Sequence, residues 1–162
     1  MLFLVFQVGN HRYAIDAGQI AEVLPLAAVT EIAQAPEEVA GVLVYRGVPV
    51  PVVDLSQLLA GRQAERRMST RLVIVRYPMA NDETKLLGLI AEKATETIRR
   101  DALEFVDSGV VNDRAPHLGS VAPDPRGMLQ RVDIPRLLTA RHQMLFGQLQ
   151  ETAWPSPTSR TS

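Results

Sequence analysis

The sequence predicts a mainly β protein built from two similar units of short barrel or sandwich strands, and three observations carry that prediction. Apolar runs of strand length recur along the 162 residues, turn-forming residues separate them, and the pattern of the first part returns in the second. The runs cover residues 2–8, 13–15, 21–24, 39–45, 48–53, 71–77 and 86–91, and they are rich in Val, Ile, Leu and aromatic side chains, which suit a pleated, packed surface. Gly9-Asn10, Pro36, Arg46-Gly47, Pro78 and Asn81-Asp82 punctuate them with the residues that tight turns require.

The opening run, Met1-Leu2-Phe3-Leu4-Val5-Phe6, stops at Gln7 without the basic flank or small-residue cleavage site of a signal peptide, so it reads as a buried strand. Helical periodicity is confined to two places. In Asp54-Leu55-Ser56-Gln57-Leu58-Leu59, Asp54 can cap the helix, Gln57 occupies the capping-box position, and Leu55, Leu58 and Leu59 share a face. The arrangement returns in Asp133-Ile134-Pro135-Arg136-Leu137-Leu138, where an early-turn proline costs no needed hydrogen bond, and this C-terminal helix is expected to run to about Phe146.

Those helices reveal the repeat. Phe3-Leu4-Val5-Phe6 corresponds to Leu72-Val73-Ile74-Val75, Tyr13-Ala14-Ile15-Asp16 to Leu87-Gly88-Leu89-Ile90, and the strand pair around Arg46-Gly47 before Asp54 to the segment Met128–Val132 before Asp133. Gly61–Ser69, which is polar, connects the units. Ser108–Gly127, with three prolines and three glycines, reads largely as a loop inserted in the second unit. The tail 151–162 is rich in Ser, Thr and Pro and is expected to be disordered.

At 46% hydrophobic and 22% charged, the composition is that of a globular protein able to bury a core without cross-links. A net charge of −1 and a pI near 6.3 argue against nucleic acid as a partner, since that affinity draws on clustered Lys and Arg. Without cysteine there is no disulfide framework, thiolate zinc site or cysteine nucleophile, a composition that favours the cytosol. No apolar stretch approaches the roughly 18 residues of a membrane span, so direct membrane insertion is not expected.

Catalytic and metal signatures are missing from the sequence. His11, His117 and His142 are scattered, with no metal-ligand spacing, and neither a Gly-x-Ser-x-Gly elbow nor a phosphate-cradling glycine loop occurs. Glu31, Glu37 and Glu38 form a small acidic cluster that reads as solvated surface, while Asp54 and Asp133 have work as helix caps. The expectation is a protein that is not an enzyme and needs no cofactor.

The segment Gly41-Val42-Leu43-Val44-Tyr45-Arg46-Gly47-Val48-Pro49-Val50-Pro51-Val52-Val53-Asp54-Leu55 resembles the most characteristic stretch of CheW-like domains. The opening Phe3–Gly9, Tyr13–Asp16 with Ile20–Val23, Leu87–Ile90 and the closing Met128–Leu138 follow in that family's order, so the resemblance spans about residues 2–146. It implies a pair of SH3-like five-stranded β-barrels with short helices, a C-terminal helix and a hydrophobic groove between the barrels. Residues 1–150 would form one such domain, with subdomains of about 1–66 and 70–146 that can exchange strands.

The resemblance also implies a function and a site. CheW-like domains are cytoplasmic, non-catalytic adaptors in chemosensory arrays: they dock the regulatory domain of a CheA-type histidine kinase and hold the cytoplasmic tip of a chemoreceptor in the groove. Carried onto this chain, the receptor groove comprises Ile20, Glu22, Val44, Tyr45, Arg46 and Gly47, with Arg46 beside Glu22. Departures from the family pattern are Val44-Tyr45 where Asn-Leu is common, Glu92 in place of an aspartate, and extra prolines in 115–127; they suit a dedicated, non-flagellar pathway. The alternative is a small-molecule-binding sensory module on the same double barrel, which would need an enclosed cavity.

Overall fold

The computed structural model describes residues 1–79, 82–109, 118–138 and 142. The strands are β1 (Leu2–Val8), β2 (His11–Asp16), β3 (Ile20–Pro25), β4 (Val39–Tyr45), β5 (Val48–Asp54), β6 (Arg71–Pro78), β7 (Thr84–Ala91), β8 (Glu96–Arg99), β9 (Leu118–Asp124) and β10 (Gly127–Val132), with helix α1 (Leu55–Ala60) after β5. They form two five-stranded sheets, ordered β8-β1-β2-β10-β9 and β3-β6-β7-β5-β4. The mainly β, two-unit fold predicted from the sequence is the fold observed.

The sheets are not filled in chain order. Residues 1–66 supply β1 and β2 to the first sheet and β3, β4 and β5 to the second; the later part of the chain does the reverse with β6 and β7, then β8, β9 and β10. Replacing each of β1–β5 by the strand five places later turns one sheet order into the other. The repeat is thus an exchange: the opening hairpin of each half is completed by the last three strands of its counterpart. Four pairings make the joins: two parallel, β10 with β2 (Arg131 opposite Ala14) and β5 with β7 (Val52 opposite Gly88), and two antiparallel, β1 with β8 (Phe3 opposite Ile98) and β3 with β6 (Val23 opposite Val73).

This exchange explains why the apolar runs lack alternation. Strands that line a sheet interior on one face and pack on the other sheet with the opposite face are buried twice. In β1, Phe3 and Val5 join Ala14, Phe105, Ala122 and Leu129 in the first sheet's own core, while Leu4, Phe6 and Val8 join a larger core between the sheets. β6 divides likewise: Leu72 and Ile74 pack with Val52 and Ile90 inside the second sheet, and Val73, Val75 and Tyr77 face the shared core.

Both sheets curl until their outer strands meet, which makes each a barrel. In the second, edge strands β3 and β4 are joined through the Tyr45 hydroxyl and Glu22, and Thr30 exchanges backbone hydrogen bonds of 2.9 Å with Val42. In the first, buried Arg12 reaches Glu96 on β8 (3.0 Å) and Asp124 on β9, and Arg100 adds a 3.1 Å contact to Asp124.

Three readings of the sequence need correction. Within the stretch 108–127, whose residues 110–117 lie outside the described ones, Leu118–Asp124 is not loop but β9; Gly119, Pro123 and Pro125 obscured a strand that lies at a sheet edge, where a missing N–H is tolerated. The short, polar β8 is an edge strand too and gave no apolar signal. Asp133 makes no side-chain cap: its carboxylate lies 3.5 Å from Arg136, and the turn after β10 is a 3₁₀ helix over Ile134–Arg136, held where Tyr77 donates to the Pro135 carbonyl at 2.9 Å. Of the expected continuation toward Phe146, residues 139–141 and 143–146 lie outside the described residues, as does the tail 151–162.

Asp54, by contrast, caps α1 as expected. Its Oδ1 accepts from the Ser56 and Gln57 amides at 3.0 and 3.2 Å, and its Oδ2 accepts from the Ala64 amide at 2.9 Å, which ties down the connection between the repeats. Glu92 supports the same connection by accepting from the Ser56 hydroxyl at 2.8 Å and the Glu65 amide at 3.1 Å.

Gly41 is the tightest point of the second barrel. It has φ of 144°, and a Cβ there would lie 2.0 Å from the Thr30 carbonyl oxygen, a backbone atom already bonded to Val42. Gly41→Ala should therefore destabilise the protein by roughly 2–4 kcal/mol in urea unfolding, combining left-handed strain with a displaced loop. A loss below about 1 kcal/mol would contradict this account of the barrel's closure.

Candidate partner-binding site

The site begins with a hairpin. β4 and β5 pair up to Tyr45 opposite Val48, leaving Arg46 and Gly47 as a two-residue turn with φ of 50° and 78°. Two positive φ values define the turn whose twist matches flanking strands. Glycine takes that conformation without strain; arginine costs about 1 kcal/mol more. A Cβ added at Gly47 would meet nothing within 4 Å, so glycine is required there by backbone conformation and not by space.

Pleating then assigns the neighbours. Leu43 and Tyr45 pack into the second barrel and Val44 points outward, 46% exposed, whereas Val48, opposite Tyr45 and on its face of the sheet, is 50% exposed at the rim. The Arg46 side chain stands at the tip, 76% exposed, with its guanidinium carbon 5.2 Å from the Tyr45 ring centroid. Its Nη2 lies 3.4 Å from Glu22 Oε2, the same oxygen that accepts from the Tyr45 hydroxyl.

The expected neighbour relation between Arg46 and Glu22 is present, with a different construction. β3 and β4 are opposite edges of the second sheet, so Glu22 and Arg46 face each other across the barrel seam and not along a ladder. The principal link across that seam is Tyr45, whose hydroxyl sequence reasoning did not single out. The signal was its place immediately before an Arg-Gly turn, on the inward side of the pleat. Val48 was missed as an exposed apolar residue because the run 48–53 read as one buried strand.

Ile20 sits apart from the trio: it is half-buried, packs against the core between the sheets, and its carbonyl accepts from Arg76 at 3.1 Å.

Glu37, Glu38 and His142 have structural partners. Glu37 accepts from the Gln57 side-chain amide at 3.3 Å, and Glu38 lies 2.6 Å from buried His142. His117 falls outside the described residues. Among the described residues no cluster of His, Asp and Glu could hold a metal ion, and no helix is long and apolar enough to cross a membrane. Two surface recesses, of about 230 and 250 Å³, fall below the roughly 300–1,000 Å³ of small-molecule pockets. The first is lined partly by Glu31, Glu37, Asp54 and Arg66, and neither supports the small-molecule alternative.

Two barrels sharing one core, with an exposed apolar and cationic hairpin at one seam, define a double-barrel binding module. A family model for the CheW-like domain matches residues 2–142, and the chain belongs to that family. It is 27% identical over 156 residues to the chemotaxis protein CheW of Klebsiella aerogenes, covering 93% of this chain and 89% of that one. Over 132 residues it is 25% identical to the chemotaxis protein CheW of Bacillus subtilis, covering 80% of this chain and 81% of the relative. The crystal structure of the scaffolding protein TtCheW from Thermoanaerobacter tengcongensis superposes with a TM-score of 0.75 at 22% identity, over 87% of this chain and 89% of that one, which shows the shared fold. Members of the family are non-catalytic scaffolds, and this chain is not an enzyme.

The Tyr45 phenol is pushed above its ordinary value, first by donating to the Glu22 carboxylate and then by burial, with the Arg46 charge opposing. A raised value means that the folded state favours the protonated phenol. The contact is therefore fully present below the ordinary value near pH 10 and is lost as pH rises through the raised one. Subtracting the tyrosinate absorbance titration of Tyr45→Phe from that of the wild type should isolate this late ionisation. The same subtraction in a Glu22→Gln background should move it back toward the ordinary value. Ionisation of Tyr45 at the ordinary value in the wild type would show that the hydroxyl does not donate to Glu22.

Proposed function

We propose that this chain is a cytoplasmic chemotaxis adaptor that couples a CheA-type histidine kinase to the cytoplasmic tips of chemoreceptors, and that its receptor site is the seam built from Glu22, Val44, Tyr45, Arg46 and Gly47, flanked by Ile20. The coupling role rests on the family match across residues 2–142. The site rests on one observation: where the second barrel closes, the hairpin exposes Val44 on its outer face and Val48 at its rim, next to a largely solvent-facing Arg46. Receptor tips are helical, and a helix presenting apolar and acidic groups together complements that surface. The kinase regulatory domain then needs a separate edge, so that both partners are held at once. Membrane association comes through the receptor.

The coupling role is tested by sedimentation of the chain with a receptor-tip fragment and a kinase regulatory domain. A ternary complex is expected, and mutually exclusive binding would contradict coupling. The site is tested by Arg46→Glu, which places two like charges across the seam. Receptor affinity should fall about tenfold while the melting temperature moves by no more than a few degrees, because exposed ion pairs contribute only about 0–1 kcal/mol to folding. Adding Glu22→Arg should restore part of the affinity. Unchanged affinity in Arg46→Glu would remove this arginine from the receptor site.

A further inference from the structure

Glu22, Tyr45 and Arg46 compete in a way that follows from their geometry. One carboxylate oxygen, Glu22 Oε2, is offered two donors. The Tyr45 hydroxyl takes it closely, while the Arg46 guanidinium stays at 3.4 Å. Hydrogen bonds from a hydroxyl to a carboxylate are charge-assisted and short, whereas an exposed arginine at that separation gains little. Arg46 is therefore only loosely tied to its own barrel: a planar group with five N–H donors reaches Glu22 at 3.4 Å, is 76% exposed, and has its guanidinium carbon 5.2 Å from the Tyr45 ring centroid.

We propose that Tyr45 is a positioning residue for partner recognition: by occupying Glu22 with its hydroxyl and lying against the guanidinium with its ring, it keeps Arg46 available for an acidic group on the receptor. The proposal deepens the receptor-site reading above and rests on it. The two parts of Tyr45 do different work. The ring limits the swing of Arg46 through a cation–π contact. The hydroxyl removes the competing anion. Without it, Glu22 would be free to draw Arg46 into a two-point carboxylate–guanidinium pair across the seam, and the arginine would meet an incoming carboxylate already neutralised.

Tyr45→Phe separates the functions, because it keeps the ring and deletes the hydroxyl. The test is calorimetric titration of a receptor-tip fragment into wild type, Tyr45→Phe, Glu22→Gln, the Tyr45→Phe/Glu22→Gln double variant and Arg46→Gln, each checked for folding by thermal melt. Tyr45→Phe should weaken binding about three- to tenfold, the range of one or a few exposed charge contacts. Measured against Glu22→Gln, the double variant should lose no further affinity, since no anion is left to capture Arg46. A merely structural role for the tyrosine would cost the same in both backgrounds. Wild-type affinity in Tyr45→Phe, or an equal loss with and without Glu22, would overturn the proposal while a weakened Arg46→Gln leaves the receptor site standing. Full affinity in Arg46→Gln would overturn the receptor-site reading itself. Should Tyr45→Phe not fold, Tyr45→Leu is compared with and without Glu22→Gln: a larger loss with Glu22 present supports the proposal, and an equal loss in both overturns it.

Discussion

The structure depends on the pairings that cross between its halves, β2 with β10 and β5 with β7 in parallel, β1 with β8 and β3 with β6 antiparallel. Through them each half of the chain completes the other's barrel, so neither half holds a full set of backbone hydrogen bonds alone. The same exchange puts the strands in register to present Leu4, Phe6 and Val8 on one side and Val73, Val75, Leu87 and Leu89 on the other to a single core. Burial of those side chains, at about 25 cal/mol per Å² of apolar surface, locks the barrels to each other. A scaffold must transmit the position of one partner to another, and a shared core gives it the stiffness to do so.

The two barrels are closed by different chemistry. In the first, a buried arginine bridges two edge strands that both present acids, Glu96 and Asp124; at the position that the repeat assigns to Arg12, the second barrel has Leu86. Removing one partner from a buried ion pair typically costs 3–5 kcal/mol, so that seam is bound to the stability of the fold. The second seam consists of partly exposed groups whose loss costs the fold little. A substitution at the second seam therefore costs the fold less than one at Arg12 or Asp124.

Much of the fold was legible in the sequence because strands buried on both faces announce themselves. Leu2–Phe6 and Leu72–Val75 are unbroken apolar runs, and their correspondence exposed the repeat. Asp54 and the Arg46-Gly47 turn were legible as local chemistry: a cap needs a short acceptor side chain, and a two-residue hairpin needs left-handed backbone. What escaped lies mainly at edges or between distant residues. β8 and β9 are edge strands, one polar and the other interrupted by proline, and such strands carry no apolar signature. Asp133 sits where Asp54 does in the repeat but makes no cap, for a local reason: three residues on, it meets the cation Arg136, where Asp54 meets uncharged Gln57. The link from Tyr45 to Glu22 crosses a barrel seam between residues far apart in the chain, so only the curl of the sheet brings it into view.

The central claim is that this chain acts by joining two proteins and performs no chemistry of its own. Reconstitution measures this most directly: autophosphorylation of a CheA-type kinase is followed with receptor present, with and without the chain. The account predicts no turnover by the chain alone and a rise in receptor-dependent phosphorylation when it is added. Kinase output that is the same with and without the chain, in the presence of receptor, would contradict it.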